Sequence, residues 1–248
     1  MTSVLRGAIV PVVSLVLWEL AGHAGVILDT LSYPSAILAA LLSGLANGTI
    51  LLATVQTFEA ALLGLAVAAI TGVLVGTTLG LSPTLEGVVG PTFEVLRPIP
   101  AVAFMPLALM TFGFGVGLEA SIVAYACVWP LLIVTTAAVR NIEPRLLDVA
   151  DVMEMTFAEK LRKIILPATF ARINVGLRVA AGIALVVAVT TEVVLNPRGL
   201  GYSLVLAQQS LNFGLMYAQL FWLCIVGFAL NFALQAVGGG PVSTWRPA

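Results

Sequence analysis

The sequence predicts an all-α, polytopic membrane protein with about six transmembrane helices. Three observations predict it. Of the 248 residues, 60% are hydrophobic and only 9% are charged, with a mean hydropathy of +1.10. A soluble domain carries roughly 25% charged residues, so too little charge remains here to coat a water-facing surface. Apolar stretches recur at membrane-spanning length, about 20 helical residues being needed to cross the hydrocarbon core. The charges that remain are gathered, with seven of the eleven Lys/Arg and five of the twelve Asp/Glu between Arg140 and Arg178. The whole of 1–248 reads as a single transmembrane domain.

The first span is read at about 4–26. Arg6, the apolar run from Gly7 to Leu17 and the small residues Ala21-Gly22 and Ala24-Gly25 also suit a signal peptide. A membrane helix is preferred because further spans follow it and Trp18 suits an interface. The segment Pro34 to Leu45, PSAILAALLSGL, reads as a short helix along the membrane surface, with Ser35 as its cap. The second span, 49–80, carries Gly64, Ala68, Gly72, Gly76 and Gly80 every four residues. That ridge has almost no side chain and lets another helix of the same subunit approach closely.

The third span, 86–112, is interrupted by Arg97-Pro98-Ile99-Pro100 and by Pro106. Proline removes a backbone donor and strains the preceding turn, so this span is expected to be kinked or broken. The remaining spans are read at 117–139, 164–194 and 214–237. The second and fifth exceed one upright crossing and must tilt or extend past the bilayer. Residues 238–248 read as a frayed tail.

Basic residues set the orientation. The 140–163 loop holds five Lys/Arg and is expected in the cytoplasm. Alternation puts 81–97 and both termini on that side, in agreement with Arg6 and Arg246. Loops 27–48, 113–116 and 195–213 fall outside, with Arg198 as their only basic residue.

Several chemistries are missing. No G-x-x-x-x-G-K-[ST] loop occurs, and neither Lys160 nor Lys163 follows a glycine. His23 is the only histidine, so there is no H-E-x-x-H and no His/Cys cluster for a metal. No Ser/His/Asp arrangement marks a nucleophile. A net charge of -1 argues against a nucleic-acid partner. Cys127 and Cys224 sit in apolar segments and form no C-x-x-C pair. The expectation is a protein that is not an enzyme and holds no metal.

Glu19, Glu59 and Glu192 fall inside the expected spans, where an ionised carboxylate must face protein or water. Glu192 follows Thr190 and Thr191; it either lines a solute path or ties helices together. Glu59, near Gln56 and Thr57, suits a wet interfacial position.

In the charged island, Pro144 can start a helix. Leu146, Leu147, Ala150, Val152 and Met153 supply an apolar face, and Asp148, Asp151 and Glu154 a polar one. A second stretch, Ala158 to Leu166, runs up to Pro167. Two short helices at the membrane surface are expected. Such a knob docks on a soluble partner, or it is a solvated loop that only obeys the charge bias.

The island DVADVMEMTFAEKLRKIILP, Asp148 to Pro167, resembles the cytoplasmic loop of binding-protein-dependent ABC importer permeases. Their pattern is E-A-A, three residues, G, nine residues, I-x-L-P. Ala150, Ile164, Leu166 and Pro167 match it, and Asp148 is a conservative replacement. Other segments follow the family's order: YPSAILAAL (Tyr33 to Leu41), GVLVGTTLGLS (Gly72 to Ser82), LRPIPAVAFMPL (Leu96 to Leu107) with FGFG (Phe112 to Gly115), GLRVAAG (Gly176 to Gly182), TEVV (Thr191 to Val194) and GLGYS (Gly199 to Ser203). The stretch from Leu96 to Gly115 resembles the alkanesulfonate, taurine and nitrate branch. Two positions depart. Glu154 stands where the family has a turn glycine, and a glutamate there favours a more continuous helix. Val149 stands where the family has a small alanine.

The resemblance implies the type I ABC importer permease fold in a bacterial inner membrane. It implies two ATP-binding subunits as partners, a second permease subunit (a homodimer by preference) and an external solute-binding protein. ATP would sit on the partner subunits, with no cofactor in this chain. The loop helix, about Pro144 to Phe157, would enter a groove on the ATPase through Leu147, Asp148, Val149, Ala150, Asp151, Met153 and Glu154. In that picture Leu147, Ala150 and Met153 form the apolar contact. The stretch Arg97 to Pro100 would lie near the cytoplasmic mouth of the third span. Phe104, Met105, Thr135 and Glu192 are candidates for the path of a small, anionic, sulfonate- or nitrate-like solute. A carrier or channel working without ATP would use the same carboxylates and broken span, and a purely structural subunit would use the loop as an assembly handle.

Overall fold

The computed structural model describes residues 2–24 and 30–238, with side chains over 9–24 and 30–234. The described residues form helices and no strand. In chain order these are α1 (Thr2–His23), α2 (Pro34–Ala46), α3 (Thr49–Leu81), α4 (Pro83–Leu96), a 3-10 turn (Ala101–Phe104), α5 (Met105–Phe112), α6 (Val116–Arg140), α7 (Pro144–Val152), α8 (Phe157–Lys160), a π-helical turn (Leu161–Ile165), α9 (Leu166–Val194), α10 (Gly199–Gln209) and α11 (Phe213–Gly238). Four are long and apolar enough to cross a membrane: α3, α6, the run containing α9, and α11. The pair of α4 and the Ala101–Phe112 segment makes a fifth if taken as one span, bent by 86°. Among the described residues, four or five spans therefore stand on the helices' own length and composition. α1 is 22 residues long and apolar over Ile9–His23. The expected tail lies beyond Gly238, outside the described residues.

The centre is the contact of α3 with α6 and α9. Ala61, Leu65 and Ala68 of α3 meet Val123, Cys127 and Leu131 of α6 and Ala180, Ala181, Ala184 and Ala188 of α9. The glycine ridge makes this possible, and it faces α6 within the same subunit. A Cβ on Gly64 would stand 2.6 Å from the Ala120 carbonyl oxygen and from Val123 Cβ; one on Gly76 would stand 2.8 Å from the Leu132 carbonyl oxygen and from Thr135 Cβ. Backbone oxygens cannot step aside as a flexible side chain can, so glycine is required there. The closeness also lets Thr136 Oγ1 donate across the interface to the Gly76 carbonyl at 3.2 Å.

Proline breaks the third span at the expected residues, but at a different depth. α4 runs along α6 from the Glu86–Arg140 ion pair past the edge-on contact of Phe93 with Trp129. It stops at Leu96, whose carbonyl accepts from Tyr125 Oη at 2.7 Å. Tyr125 lies nearer the Val116 end of α6 than the Arg140 end. Arg97 to Pro100 therefore sits well up the span, not at the mouth beside the 141–156 loop. The cause is capping chemistry: Ser82 accepts from Leu85 N and Pro83 fills the first helical position, which starts a new helix at the end of α3. α4 then rises until Pro98 and Pro100 end it.

α1 leans on α2 and α11 through Trp18 against Phe221 and His23 against Tyr33. Ser35 is not the cap of α2. Pro34 occupies the first helical position, which leaves the Ser35 N–H as one of the first turn's orphan donors. Glu19 of α1 takes it, accepting from Ser35 N at 2.9 Å and Ser35 Oγ at 2.6 Å. That is how a carboxylate is accommodated on α1.

Gly76→Val is expected to lower stability by about 2–3 kcal/mol, because overpacking against backbone cannot relax. Gly87→Ala, where an added Cβ meets nothing within 4 Å, is expected to be neutral or to stabilise by up to ~1 kcal/mol. Thermal unfolding of the purified protein in one detergent checks the pair.

Candidate coupling loop and solute cavity

The loop after α6 folds as a short helix, a turn and a second helix start. α7 is one short helix, ending at Val152 rather than near Phe157. It stops with a Schellman turn: Glu154 N donates to the Asp151 carbonyl and Met155 N to the Ala150 carbonyl, both at 3.0 Å. The turn needs a left-handed residue, and Glu154 supplies it at φ 51°. The expected continuous helix is thus overturned. Two carbonyls at the helix end gain partners, which offsets the roughly 1–2 kcal/mol that a left-handed conformation costs a residue with a Cβ.

The next helix starts at a capping box. Thr156 Oγ1 accepts from Glu159 N, and the Glu159 carboxylate accepts from Thr156 N at 3.0 Å. Lys163 adds an ion pair to Glu159 at 3.0 Å. The Thr156 backbone N–H, then Lys163 and the Thr156 hydroxyl, hold the Glu159 carboxyl at about 2, below the usual carboxylate range. Its stabilising contribution is present above that usual range and is lost progressively as pH falls from there to about 2. Lys160 pairs with Asp151 and so ties α8 back to α7.

The Ala158–Leu166 stretch is not a separate helix. From Phe157 to Val194 the chain is helical without interruption. Pro167 is absorbed by the π turn before it, where Leu166 N bonds the Leu161 carbonyl, relieving the clash a proline makes with the preceding turn. The loop is therefore continuous with α9.

Burial sorts the expected docking residues. Ala150 is 0% exposed, held against its own subunit. Leu147 packs beside Val139, Ile142 and Ile165. Neither forms an open face, so the expected trio of Leu147, Ala150 and Met153 does not act as one surface. The exposed apolar residues are Leu146, Val149, Val152 and Met153, with Asp148, Asp151 and Glu154 also exposed. Val149 points outward, so its extra bulk over alanine meets no neighbour in this chain.

The expected path residues separate in the same way. Met105 is buried with Ala108, Leu118 and Ile122. Thr135 is fully buried under Gly76. Glu192 is 1% exposed. None of the three lies on an open surface, because each fills a helix–helix contact. Phe104 is half-buried, its ring 4.4 Å from that of Tyr125.

Glu192 belongs to a polar knot at the opposite end from the loop. The first turn of α10 offers three backbone donors. Gly199 N donates to Gln56 Oε1 at 3.0 Å, Leu200 N to Thr57 Oγ1 at 2.9 Å, and Gly201 N to Glu192 Oε2 at 2.7 Å. Two helices, α3 and α9, thus cap a third. Gly199 is obligatory there: its φ is +86°, and a Cβ would collide with the Glu192 carboxylate. Arg198 pairs with Glu59 at 2.9 Å on the rim, so Glu59 is paired and half-exposed. Asn196, also buried, exchanges bonds with Gly115 N and O. The buried Glu119 of α6 faces the same knot, next to Asn196 and Glu192. Neither Glu119 nor Asn196 stood out in the sequence. The signal available was Asn196-Pro-Arg-Gly, a helix stop and restart placed directly after Glu192.

A cavity of about 370 Å³ opens between α4 and α6, its walls including Glu86, Phe93, Arg97, Trp129, Ile133 and Arg140. No sequence pattern marked it, since its residues come from three separated segments.

Spanning helices packed on a glycine ridge, a broken third span and a structured loop leading into a span define a polytopic helical membrane protein. Residues 68–238 match the family described as "Binding-protein-dependent transport system inner membrane component". The chain belongs to this family and is a transmembrane subunit of an ABC importer in an inner membrane. It is 28% identical over 90% of its length to SsuC of Bacillus subtilis (strain 168), named as an aliphatic sulfonates transport permease protein, and covers 81% of it. It is 30% identical over 71% of its length to the taurine transport system permease protein TauC of Escherichia coli (strain K12), and covers 64% of it. In fold it resembles a chain of the MetNI methionine ABC transporter, with a TM-score of 0.61 and 18% identity over 84% of this chain and 98% of that one.

Glu154→Gly is expected to raise stability by about 1 kcal/mol, because it removes the left-handed cost without touching a contact. Glu192→Leu is expected to lower it by about 1–3 kcal/mol by orphaning the Gly201 N–H, while Glu192→Gln, whose amide oxygen still accepts, is expected to lose less. Both follow from denaturation midpoints of the purified subunit.

Proposed function

We propose that this permease conducts a small anionic, sulfonate- or nitrate-like solute and is driven through α7 by ATP bound on partner subunits. The observation that carries the coupling role is the two-sidedness of α7. On its inner side Leu147 packs beside Val139, Ile142 and Ile165, and Ala150 is fully buried. Its outer side presents Leu146, Val149, Val152 and Met153 among three carboxylates. An apolar and acidic helix fits a groove with a greasy floor and a basic rim. Two ATP-binding subunits would each hold one such helix, and a second copy of this chain would complete the path across a two-fold axis.

In this reading the 140–163 loop and both termini are cytoplasmic, following the basic residues. An external binding protein delivers the solute at the polar-knot end. The curated relatives named for aliphatic sulfonates and taurine support the solute class. This chain conducts; hydrolysis belongs to its partners. Because α8, the π turn and α9 are one helical run, a push passed from α7 across the turn at 153–156 to α8 reaches the span.

Asp148→Lys and Val149→Glu are the direct tests, since both side chains are exposed and neither change disturbs the fold. Each is expected to leave the permease inserted and to cut ATP-dependent uptake by about tenfold or more, as losing a central contact does. Unchanged uptake in reconstituted vesicles removes α7 from the coupling role. Uptake that persists without ATP identifies a carrier instead.

A further inference from the structure

A second cavity, of about 380 Å³, lies between α6 and α9, lined by Val134, Ala137, Ala138, Asn141, Arg172 and Val175. A mismatch of side-chain size creates it. Thr169, Arg172 and Gly176 follow one another along one face of α9, at three- and four-residue spacing. Thr169 and Gly176 are buried, and a Cβ on Gly176 would stand 3.1 Å from Val134 Cγ1 of α6. Arg172, between them, is exposed, because across the groove α6 offers only the small Ala137 and Ala138. Depth follows from the neighbouring contacts. Ile165 packs with Val139 and Ile142 at the loop end of α6. Arg172 stands seven residues further along the chain, about 10 Å into the span. It is in no ion pair among the described residues. From that depth a long side chain reaches back to the headgroup layer, and a lone charge on a span is accommodated only by water or a ligand.

We infer that this groove holds an anionic phospholipid, with its phosphate on Arg172, its headgroup at Asn141 and an acyl chain along Val134 and Val175. The planar guanidinium takes two phosphate oxygens at once. Asn141 Nδ2 donates to the Ala137 carbonyl at 2.7 Å, which holds the amide at the groove mouth and leaves its oxygen to accept from a headgroup hydroxyl. The rest of the lining is aliphatic. A small water-soluble anion leaves that wall uncovered, whereas hydrocarbon covers it. The apolar wall continues beyond the groove in Val175 and Val179 of α9, both exposed. Among the described residues no carboxylate lines the groove, so the ammonium of a zwitterionic headgroup finds no partner there. A basic pocket between spans, near their loop end, is the setting in which anionic headgroups are bound. The lipid braces α6 against α9 beside the cluster of Val139, Ile142 and Ile165, on which Leu147 of α7 rests.

The test is native mass spectrometry of the permease–ATPase complex released from nanodiscs of equimolar dioleoyl phosphatidylglycerol and dioleoyl phosphatidylethanolamine. Phosphatidylglycerol is expected to be retained over phosphatidylethanolamine by about tenfold. Arg172→Gln is expected to erase that preference by loss of phosphatidylglycerol alone. Ala137→Phe, which fills the groove and keeps Arg172, is expected to displace the retained lipid. The mass of the intact complex shows in each case that the variant has assembled. Equal retention of the two lipids, a preference that survives Arg172→Gln, or retention unchanged by Ala137→Phe overturns the site. So does retention of neither lipid, the result expected if a second copy of this chain covers the groove.

Discussion

The close approach of α3 to α6 is the constraint on which the rest depends. Where Gly64, Gly72, Gly76 and Gly80 face α6, carbonyl oxygens and Cβ atoms of α6 occupy the space a side chain would need. In lipid, apolar burial gives no preference for one helix neighbour over another. Contact must come from van der Waals fit and from polar bonds such as Thr136 to Gly76. Once α3 and α6 are fixed, α9 closes on them through a face of alanines. The two polar features then follow. At one end α3 and α9 present Gln56, Thr57 and Glu192 to the first turn of α10. At the other, the end of α6 and the π turn pack against Leu147.

Those two ends solve opposite problems. The knot uses buried polar groups to hold a helix start that has no water to satisfy it, so its energy comes from avoiding orphaned donors. The loop lies where water is available, and it uses apolar anchors with surface ion pairs worth little individually. Its shape is held instead by local hydrogen bonding: a Schellman turn, a capping box and a helix that runs on through Pro167. A lever of this kind transmits displacement because it has few soft torsions.

The sequence made the spans legible wherever hydropathy and glycine spacing were the physical cause, as in α3, α6 and α11. It placed the break in the third span on the right prolines. It did not reveal the depth of that break, because depth is set by how far α4 climbs along α6, which only the Leu96–Tyr125 contact fixes. At Glu154 propensity pointed to helix, yet two tertiary-supported backbone bonds outweighed it. Ala150 and Leu147 read as a docking face because amphipathicity cannot say which side of a short helix meets its own subunit. Glu192 was recognised as unusual, but its partners are backbone N–H groups of α10, and backbone donors leave no mark in a sequence pattern. The α4–α6 cavity was hidden for the same reason: Phe93, Arg97 and Trp129 become neighbours only after folding.

The central claim is that α7 and the α3–α6–α9 body move as one unit. Spin labels at Val152 on α7 and Thr78 near the end of α3, both exposed, measure it in a Cys224→Ser background, since Cys127 is buried and Cys224 is exposed. The account expects one narrow intrasubunit distance distribution that is unchanged between nucleotide-free and ATP-bound complexes. A distribution that broadens or shifts with ATP would show the loop flexing on its own, and would contradict the lever.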